Sequence, residues 1–153
     1  MRRRLTVFCC ALLMTAIACA SAKRSGTSVT MGMVAPMASD ATLAQIYFWR
    51  AKPGKFDEYS RYIREVAEPI DHDAERRGAF LAVTTYSSRD TTTPWTHMRV
   101  FLLRDSAQLA GLAGALDSAG LRLEPDSVKR RVRGEYAATL RDRVGAATVQ
   151  LLR

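Results

Sequence analysis

Two residues close together in the sequence, His97 and Arg99, have the side chains best suited to chemistry. A histidine can act as a general base or an axial ligand, and an arginine can pair with a carboxylate. Strand alternation places both on one face with several aromatic side chains, which would form the walls of a cleft. The aromatic candidates are Tyr47, Trp49, Tyr86, Trp95 and Phe101. The hypothesis is a site for a small aromatic or acidic ligand.

A structural interpretation of the same residues stands beside the functional one. Subunit interfaces are enriched in aromatic residues and arginine. His97, Arg99 and the aromatic side chains would then fill the core of a dimer and satisfy one another there. The sequence favours this second interpretation and leaves the ligand site open.

Other chemistry-bearing residues give weaker signals. His72 lies between Asp71 and Asp73, but neighbouring helical residues diverge by about 100°, so the three cannot chelate one ion and predict a solvated helix end. The basic run at 129–133 predicts a solvated helix face, with an anionic membrane surface as the alternative. No metal site and no cofactor are predicted, because phosphate-loop, catalytic-triad and helical His/Glu patterns are missing from the sequence.

The first 22 residues have the pattern of a secretion signal. Three arginines, Arg2 to Arg4, precede a short apolar run and a group of small residues. Cys19 follows Ala16-Ile17-Ala18, which resembles a lipobox, so it is the candidate lipidation site; release as a soluble protein is the alternative. The prediction is export to the periplasm or to the outer membrane as a lipoprotein, with secretion the weaker choice.

The cysteines and the charge agree with export. All three cysteines, Cys9, Cys10 and Cys19, lie in the leader, so the mature domain has no disulfide and depends on its own core. Without the leader arginines, 20 Lys and Arg residues face 15 Asp and Glu residues, a net charge of +5. This mild excess is typical of a soluble domain and does not indicate nucleic acid as a partner. Membrane attachment is expected only through a lipid anchor.

Residues 23–41 are small and polar and predict a flexible linker. Met31, Met33 and Met37 cluster there, and thioethers bind copper(I), but no histidine lies nearby and the spacing is loose. A chance grouping of methionines in a tether is the preferred interpretation.

Residues 42–153 predict one folded domain. A strand over 43–50 leads through a Pro-Gly turn into an amphipathic helix, which Pro69 should kink or restart. Residues 80–86 and 95–103 predict a hairpin, and 146–152 a closing strand. Between them Asp105, with Gln108 three residues on, should cap one helix, which Gly120 should end. Asp126 should cap another helix, with a buried stripe at Val128, Val132, Tyr136 and Leu140.

The order predicts an α+β fold, the ferredoxin-like βαββα(α)β arrangement with an antiparallel sheet. Helices on one face of such a sheet leave the other bare, and an exposed apolar face marks an interface or a ligand site. The sequence expectation places Tyr47, Trp49, Trp95 and Phe101 on the bare face.

Two segments carry a family resemblance. The strand end and helix start over 51–59, AKPGKFDEY, and the segment VFLLRDS at 100–106 resemble the dimeric α/β-barrel superfamily. That superfamily includes antibiotic-biosynthesis monooxygenase-like, NIPSNAP-like and EthD-like proteins, and the resemblance covers about residues 43–152. It implies a homodimer packed sheet face to sheet face, but no single reaction. Haem-degrading members use an Asn, a Trp and a His, and this sequence contains no asparagine.

The functional expectation is an exported domain that is non-catalytic or binds a small ligand in the cell envelope. The alternative is a monooxygenase-like oxidoreductase that uses an aromatic cleft around His97. Whether the protein is an enzyme stays open.

Overall fold

The computed structural model describes residues 40–152. Within them the strands are β1 (Leu43–Ala51), β2 (Ala82–Ser87), β3 (His97–Leu103) and β4 (Arg141–Gln150). Helix α1 comprises Phe56–Tyr62, a π-helical stretch Ile63–Ala67 and Glu68–Arg76, and it is followed by α2 (Ser106–Leu123) and α3 (Ser127–Leu140). Two predicted segments lie outside the described residues. They are the leader with Cys19 and residues 23–39 of the linker, which contain Met31, Met33 and Met37.

The four strands form one antiparallel sheet in the order β2-β3-β1-β4. Strand β1 lies in the interior of the sheet, with Tyr47 opposite Arg99 and Trp49 opposite His97 on β3. On its other side a β-bulge separates Phe48 from Trp49 along the pairing with β4. The predicted α+β, ferredoxin-like fold is therefore correct, with α3 as the additional helix before the last strand.

The helices cover the sheet face that the sequence expectation left bare. Phe101 and Leu103 of β3 are buried in one cluster with Phe80 and with Leu112 of α2, and Tyr47 packs against that cluster. The prediction that the face of Tyr47, Trp49 and Phe101 is uncovered is wrong. Both faces of β1 and β3 carry large apolar side chains, so alternation separated the faces without showing which one the helices cover.

The opposite face, which we call the outer face, is apolar and only partly buried. Its side chains alternate with the buried ones along β1 and β3. The outer-face residues on these two strands that remain half-buried are Ile46, Phe48, Met98, Val100 and Leu102.

Helix α1 is interrupted where the proline predicts it. The π-helical stretch Ile63–Ala67 ends two residues before Pro69, which lies in the first turn of Glu68–Arg76. Proline has no N–H to donate to the preceding turn, and a local π turn is a common way to accommodate the missing bond. Tyr59, Ile63 and Ala74 stay buried along the helix.

Both predicted helix caps are present. The Asp105 carboxylate accepts from the Gln108 backbone N–H at 2.9 Å, and the Asp126 carboxylate accepts from those of Val128 and Lys129 at 2.8 and 3.2 Å. Helix α2 does not end at Gly120 as predicted but runs on to Leu123.

The predicted buried stripe of α3 is wrong except at its last residue. Val128, Val132 and Tyr136 are 58%, 52% and 45% exposed, whereas Ala137 and Leu140 are buried. Apolar residues at helical spacing form two adjacent rows on this helix. One runs through Val128, Val132 and Tyr136, and the other, through Ala137 and Leu140, is the row that faces the sheet.

Among residues 40–152, no helix is both long and apolar enough to traverse a bilayer.

Candidate functional site

A cavity of about 230 Å³ lies between the sheet and α2. We call it the aromatic cavity, and its lining residues are Tyr47, Trp49, Arg99, Phe101, Ala113, Leu116, Asp117 and Arg143. Four of the predicted site residues, Tyr47, Trp49, Arg99 and Phe101, are therefore brought together, beneath the helices rather than between two sheets.

The strands position these side chains through their register. Tyr47 and Trp49 are two residues apart on β1, so they share a face with Arg99, which pairs with Tyr47. The β4 bulge shifts the pairing by one residue, so that Arg143 lies opposite Trp49. The Arg143 guanidinium carbon is 4.7 Å from the Tyr47 ring centre and 5.9 Å from that of Trp49.

Arg141 supports the same wall from one side. Its guanidinium carbon lies 3.4 Å from the centre of the Trp49 ring, a cation–π contact that holds the indole in place. Burial lowers the pKa of Arg141, and its Nε has no hydrogen-bond partner within residues 40–152. Trp49 is thus held by a cation–π contact with a partly buried arginine whose Nε lacks a hydrogen-bond partner, and not only by packing.

Arg99 forms a buried ion pair with Asp71 of α1. Their side chains are only 12% and 3% exposed. Burial lowers the pKa of Arg99, yet a guanidinium stays protonated in proteins, so the Asp71 carboxylate is what neutralises it. Arg99 therefore offers the aromatic cavity N–H donors with little net charge.

Sequence reasoning missed Asp71 by treating its segment as a solvated helix end. Only His72 is exposed there, while Asp71 and Asp73 are both buried, and Asp73 pairs with Arg122. The signal was present in the spacing, because residues 63, 67, 71 and 74 form one row of α1. A carboxylate in a buried row requires a cation across from it.

His97 lies apart from the aromatic cavity, in a pocket of its own. It is buried between the rings of Phe56 and Tyr59, at centre distances of 4.7 and 4.6 Å. Burial and, to a smaller extent, the positive charge of Arg89 lower its pKa to about 4, so the ring is neutral at pH 7. This second cavity, of about 200 Å³, also contains Ser60 and Glu68. The single cleft predicted around both His97 and Arg99 is divided into two.

Both ring nitrogens of His97 are engaged. Nε2 is 2.9 Å from the Ser60 hydroxyl, and Nδ1 is 3.0 Å from the Thr96 hydroxyl. The Ser60 hydroxyl donates to the Phe56 carbonyl at 2.9 Å, so the network is satisfied when Nε2–H donates to Ser60. In that arrangement the histidine does not take a proton from Ser60, and the pair is structural rather than a nucleophile with its base.

Two predicted aromatic residues do not join the site. Tyr86 pairs with Met98, one residue out of phase with Arg99, and its side chain is 49% exposed. Trp95 precedes the first residue of β3, and its ring lies 6.3 Å from that of Phe48, an outer-face residue. The sequence prediction extended the alternation of β3 back to residue 95, although the strand begins at His97, and it therefore assigned Trp95 to the wrong face of the sheet. No group of His, Cys, Asp or Glu within 40–152 is arranged to hold a metal ion.

Comparison with known proteins identifies a likeness of fold. No protein-family model matches the sequence, and no curated protein matches it. The crystal structure of HapK from Hahella chejuensis is similar, with a TM-score of 0.51 over 72% of this chain and 92% of HapK, at 12% sequence identity. At that identity the likeness shows the fold alone, and it agrees with the ferredoxin-like arrangement.

Proposed function

We propose that this domain is a non-catalytic protein that binds a small planar acid in the aromatic cavity. The observation that carries the proposal is Arg143. Its guanidinium lies beside the Tyr47 ring at the cavity, and it pairs with no carboxylate among residues 40–152. A cation next to aromatic walls, with no protein counter-ion, suits a ligand that supplies both a ring and a carboxylate.

The dimensions of the cavity limit the ligand to one ring. Sites for drug-sized compounds span about 300–1,000 Å³, and the aromatic cavity measures about 230 Å³. Trp49, held by Arg141, would stack on the ring, and Arg99 would donate N–H groups to it or to its substituents. Asp117, an exposed carboxylate in the same lining, opposes a second negative charge and would favour a monoanion.

Titration calorimetry with benzoate and 4-hydroxybenzoate tests the proposal. Arg143→Gln should weaken binding about tenfold or more, because a hydrogen bond to a charged group contributes roughly 1.5–3 kcal/mol. Arg89→Gln is the matched control, since Arg89 also lies over a ring, that of Phe56 at 4.0 Å, but outside the cavity. Asp117→Asn should strengthen binding. Equal affinities for the Arg143 and Arg89 variants would refute the site.

A catalytic role around His97 is the weaker alternative. An oxidoreductase of the monooxygenase kind would need His97 in contact with the bound ring. The histidine instead lines a different cavity, and both of its nitrogens have protein partners. These contacts favour ligand binding over catalysis.

The domain is proposed to be a homodimer that packs through the outer face. The support is the half-buried apolar row on the two central strands, together with the resemblance to dimeric α/β-barrels. Val100→Glu should yield a monomer in light scattering, because it would bury a charge in the interface. Val128→Glu, on an exposed valine of α3, is the control and should leave the mass unchanged. A monomeric wild type at tens of micromolar would contradict the dimer.

Export remains a proposal that depends on residues 1–22 and Cys19. Intact mass of the protein from its host should lack the leader, and acyl mass that disappears in Cys19→Ala would identify the lipoprotein form. A full-length product would overturn export.

A further inference from the structure

Helix α3 presents apolar side chains to solvent where the sequence pattern predicts burial. Val128, Val132 and Tyr136 are four residues apart and about half exposed, so they form one continuous stripe along the outside of the helix. Leu121 at the end of α2 is 48% exposed and lines a groove with Arg130 and Arg133 of α3. That groove is lined by none of the three stripe residues, so the stripe and Leu121 are two separate exposed apolar features.

The same helix carries a strong excess of positive charge. Between residues 127 and 140 four cations, Lys129, Arg130, Arg131 and Arg133, stand against one anion, Glu135. Lys129 is exposed and pairs with no carboxylate of residues 40–152, and Arg131 pairs only with Glu135. Lys129 and Arg131 lie on opposite sides of Val132, so the apolar stripe has a cation along each edge.

The helix is firmly attached on its inner side. Arg130 donates to the carbonyls of Glu124 and Pro125 at 2.8 and 2.6 Å, and the Tyr136 hydroxyl donates to Glu58 at 2.8 Å. Leu140 is fully buried. These contacts attach the helix, and Tyr136, at the end of the stripe, takes part in them. Val128 and Val132, the most exposed residues of the stripe, do not belong to this attachment and are not needed for it.

We propose that the outer side of α3 is a docking surface for an anionic lipid bilayer. An apolar stripe bordered by cations, on a helix that lies along the protein surface, is the arrangement that inserts at the headgroup boundary. The charge complementarity selects anionic headgroups, since each Lys or Arg near such a surface strengthens binding about fivefold. The inference rests on exposure and charge in α3 and is independent of the aromatic cavity.

Sedimentation with lipid vesicles tests this surface. Wild type and variants from the host are matched at the N-terminus by intact mass, and only protein without an acyl chain is used, because an acyl chain would insert into either kind of vesicle. The protein is mixed with vesicles of equimolar phosphatidylglycerol and phosphatidylcholine or of phosphatidylcholine alone. We expect binding to the anionic vesicles only, lost when salt is raised from about 0.1 M to 1 M, because that shortens the screening length from about 10 Å to about 3 Å.

Single substitutions localise the contact. Lys129→Gln should weaken binding about fivefold, while Arg104→Gln, which removes an exposed arginine beyond the end of β3, should not. Val132→Ser should also weaken binding, and Val132→Trp should strengthen it several-fold because tryptophan prefers the membrane interface. Lost structure does not explain a gain of affinity by a variant that keeps the circular dichroism of wild type, so Val132→Trp with that control remains informative if another variant is unstable.

Three results would overturn the proposal. These are equal binding to both kinds of vesicle, equal losses for the Lys129 and Arg104 variants, or a change in oligomer mass for Val132→Ser with unchanged vesicle binding. The last result would assign the stripe to a protein partner or to a second copy of the chain.

Discussion

The two ends of the layer between the sheet and the helices differ in chemistry. At one end Phe80, Leu103 and Leu112 form a closed apolar cluster, and Phe101 lies between this cluster and the aromatic cavity. At the other end the cluster around Tyr59 and Ile63 is next to a buried histidine, His97. Arg99 with Asp71, and the partly buried Arg141, lie near the same end. The first end has the composition of a core that only needs to be stable, whereas the second buries charge beside both cavities.

Buried charge is an expensive way to stabilise a fold. Ion pairs in protein interiors are often no more stabilising than apolar side chains of the same volume, because both charges must first be desolvated. The proposed ligand site would give Arg99 a role other than stability, since Arg99 lines the aromatic cavity. The comparison teaches that the polar end is the part of the core where a ligand would be recognised.

The largest effect should come from breaking the buried ion pair. Asp71→Ala leaves Arg99 charged without its counter-ion, and the free energy of unfolding should fall by about 3–5 kcal/mol. The double variant Asp71→Leu/Arg99→Met should recover most of that loss, because it removes both desolvation costs. Urea unfolding followed by circular dichroism measures all three proteins.

Asp73 provides the matched control on the same helix. Its three partners, Arg122, Arg77 and Arg76, are 35%, 59% and 67% exposed, so water can solvate them when the carboxylate is removed. Asp73→Ala should cost at most about 1 kcal/mol. Equal losses for Asp71→Ala and Asp73→Ala would mean that the two ends do not differ in the way described.

The closed end should affect stability alone. Leu112→Ala leaves a cavity among fully buried side chains and should cost about 3 kcal/mol. Its affinity for a single-ring aromatic acid should stay within twofold of wild type, because Leu112 does not line the aromatic cavity. A large loss of affinity would show that the two ends are coupled.

The closed end was the easier one to predict from sequence. The spacing of Leu109, Leu112 and Leu116, the cap at Asp105 and the alternation of β3 depend on local periodicity, which a sequence displays directly. The fold class followed from the order of these elements. Local periodicity also gave errors, among them the covered sheet face and the buried row of α3, since burial depends on what packs from elsewhere in the chain.

The candidate site was predictable only in part, for the same reason. Tyr47, Trp49, Arg99 and Phe101 follow from strand alternation and meet in one cavity. Asp71, on α1, pairs with the cavity-lining Arg99, and Arg143 enters the cavity lining from β4. The position of Arg143 depends on a bulge that no residue type in β4 predicts. His97 is on the sheet face that alternation predicts, but it lies two residues from Arg99 along β3 and lines the other cavity. Alternation predicts the face of a side chain and not its distance along the strand from a cavity.

A smaller effect separates the structural histidine from a catalytic one through pH. In the unfolded chain His97 takes up a proton near pH 6.5, but in the folded protein only near pH 4. The folded state binds fewer protons in this window, so stability is lost as the pH falls from about 6.5 to about 4. Above pH 6.5 the titration of His97 adds no pH dependence to the free energy of unfolding. His97→Gln should cost about 1–2 kcal/mol at pH 7.5 and should flatten this part of the profile.

The other histidine is the control for the loss at pH 7.5. His72 is exposed, with 60% of its side chain in solvent, and His72→Gln should change the free energy of unfolding by at most about 0.5 kcal/mol. Carboxylates also titrate near the lower limit, so the quantity to compare is the difference between each variant and wild type. An unchanged slope in His97→Gln would mean that the ring is not held neutral by burial.

The smallest effect compares two equivalent caps on helices that differ in burial. Asp105 and Asp126 each accept backbone N–H bonds at a helix start, and removing either should cost about 1 kcal/mol. Asp105→Ala should lower the melting temperature, because α2 carries Leu112 into the closed end and cannot fray without exposing it.

In α3 the first turn exposes Val128 and contributes no fully buried side chain, so Asp126→Ala should instead speed amide exchange over residues 127–132 with little change in melting. If Asp126→Ala lowers the melting temperature as much as Asp105→Ala does, α3 belongs to the same cooperative unit as the closed end, and its outer stripe would need an explanation in folding.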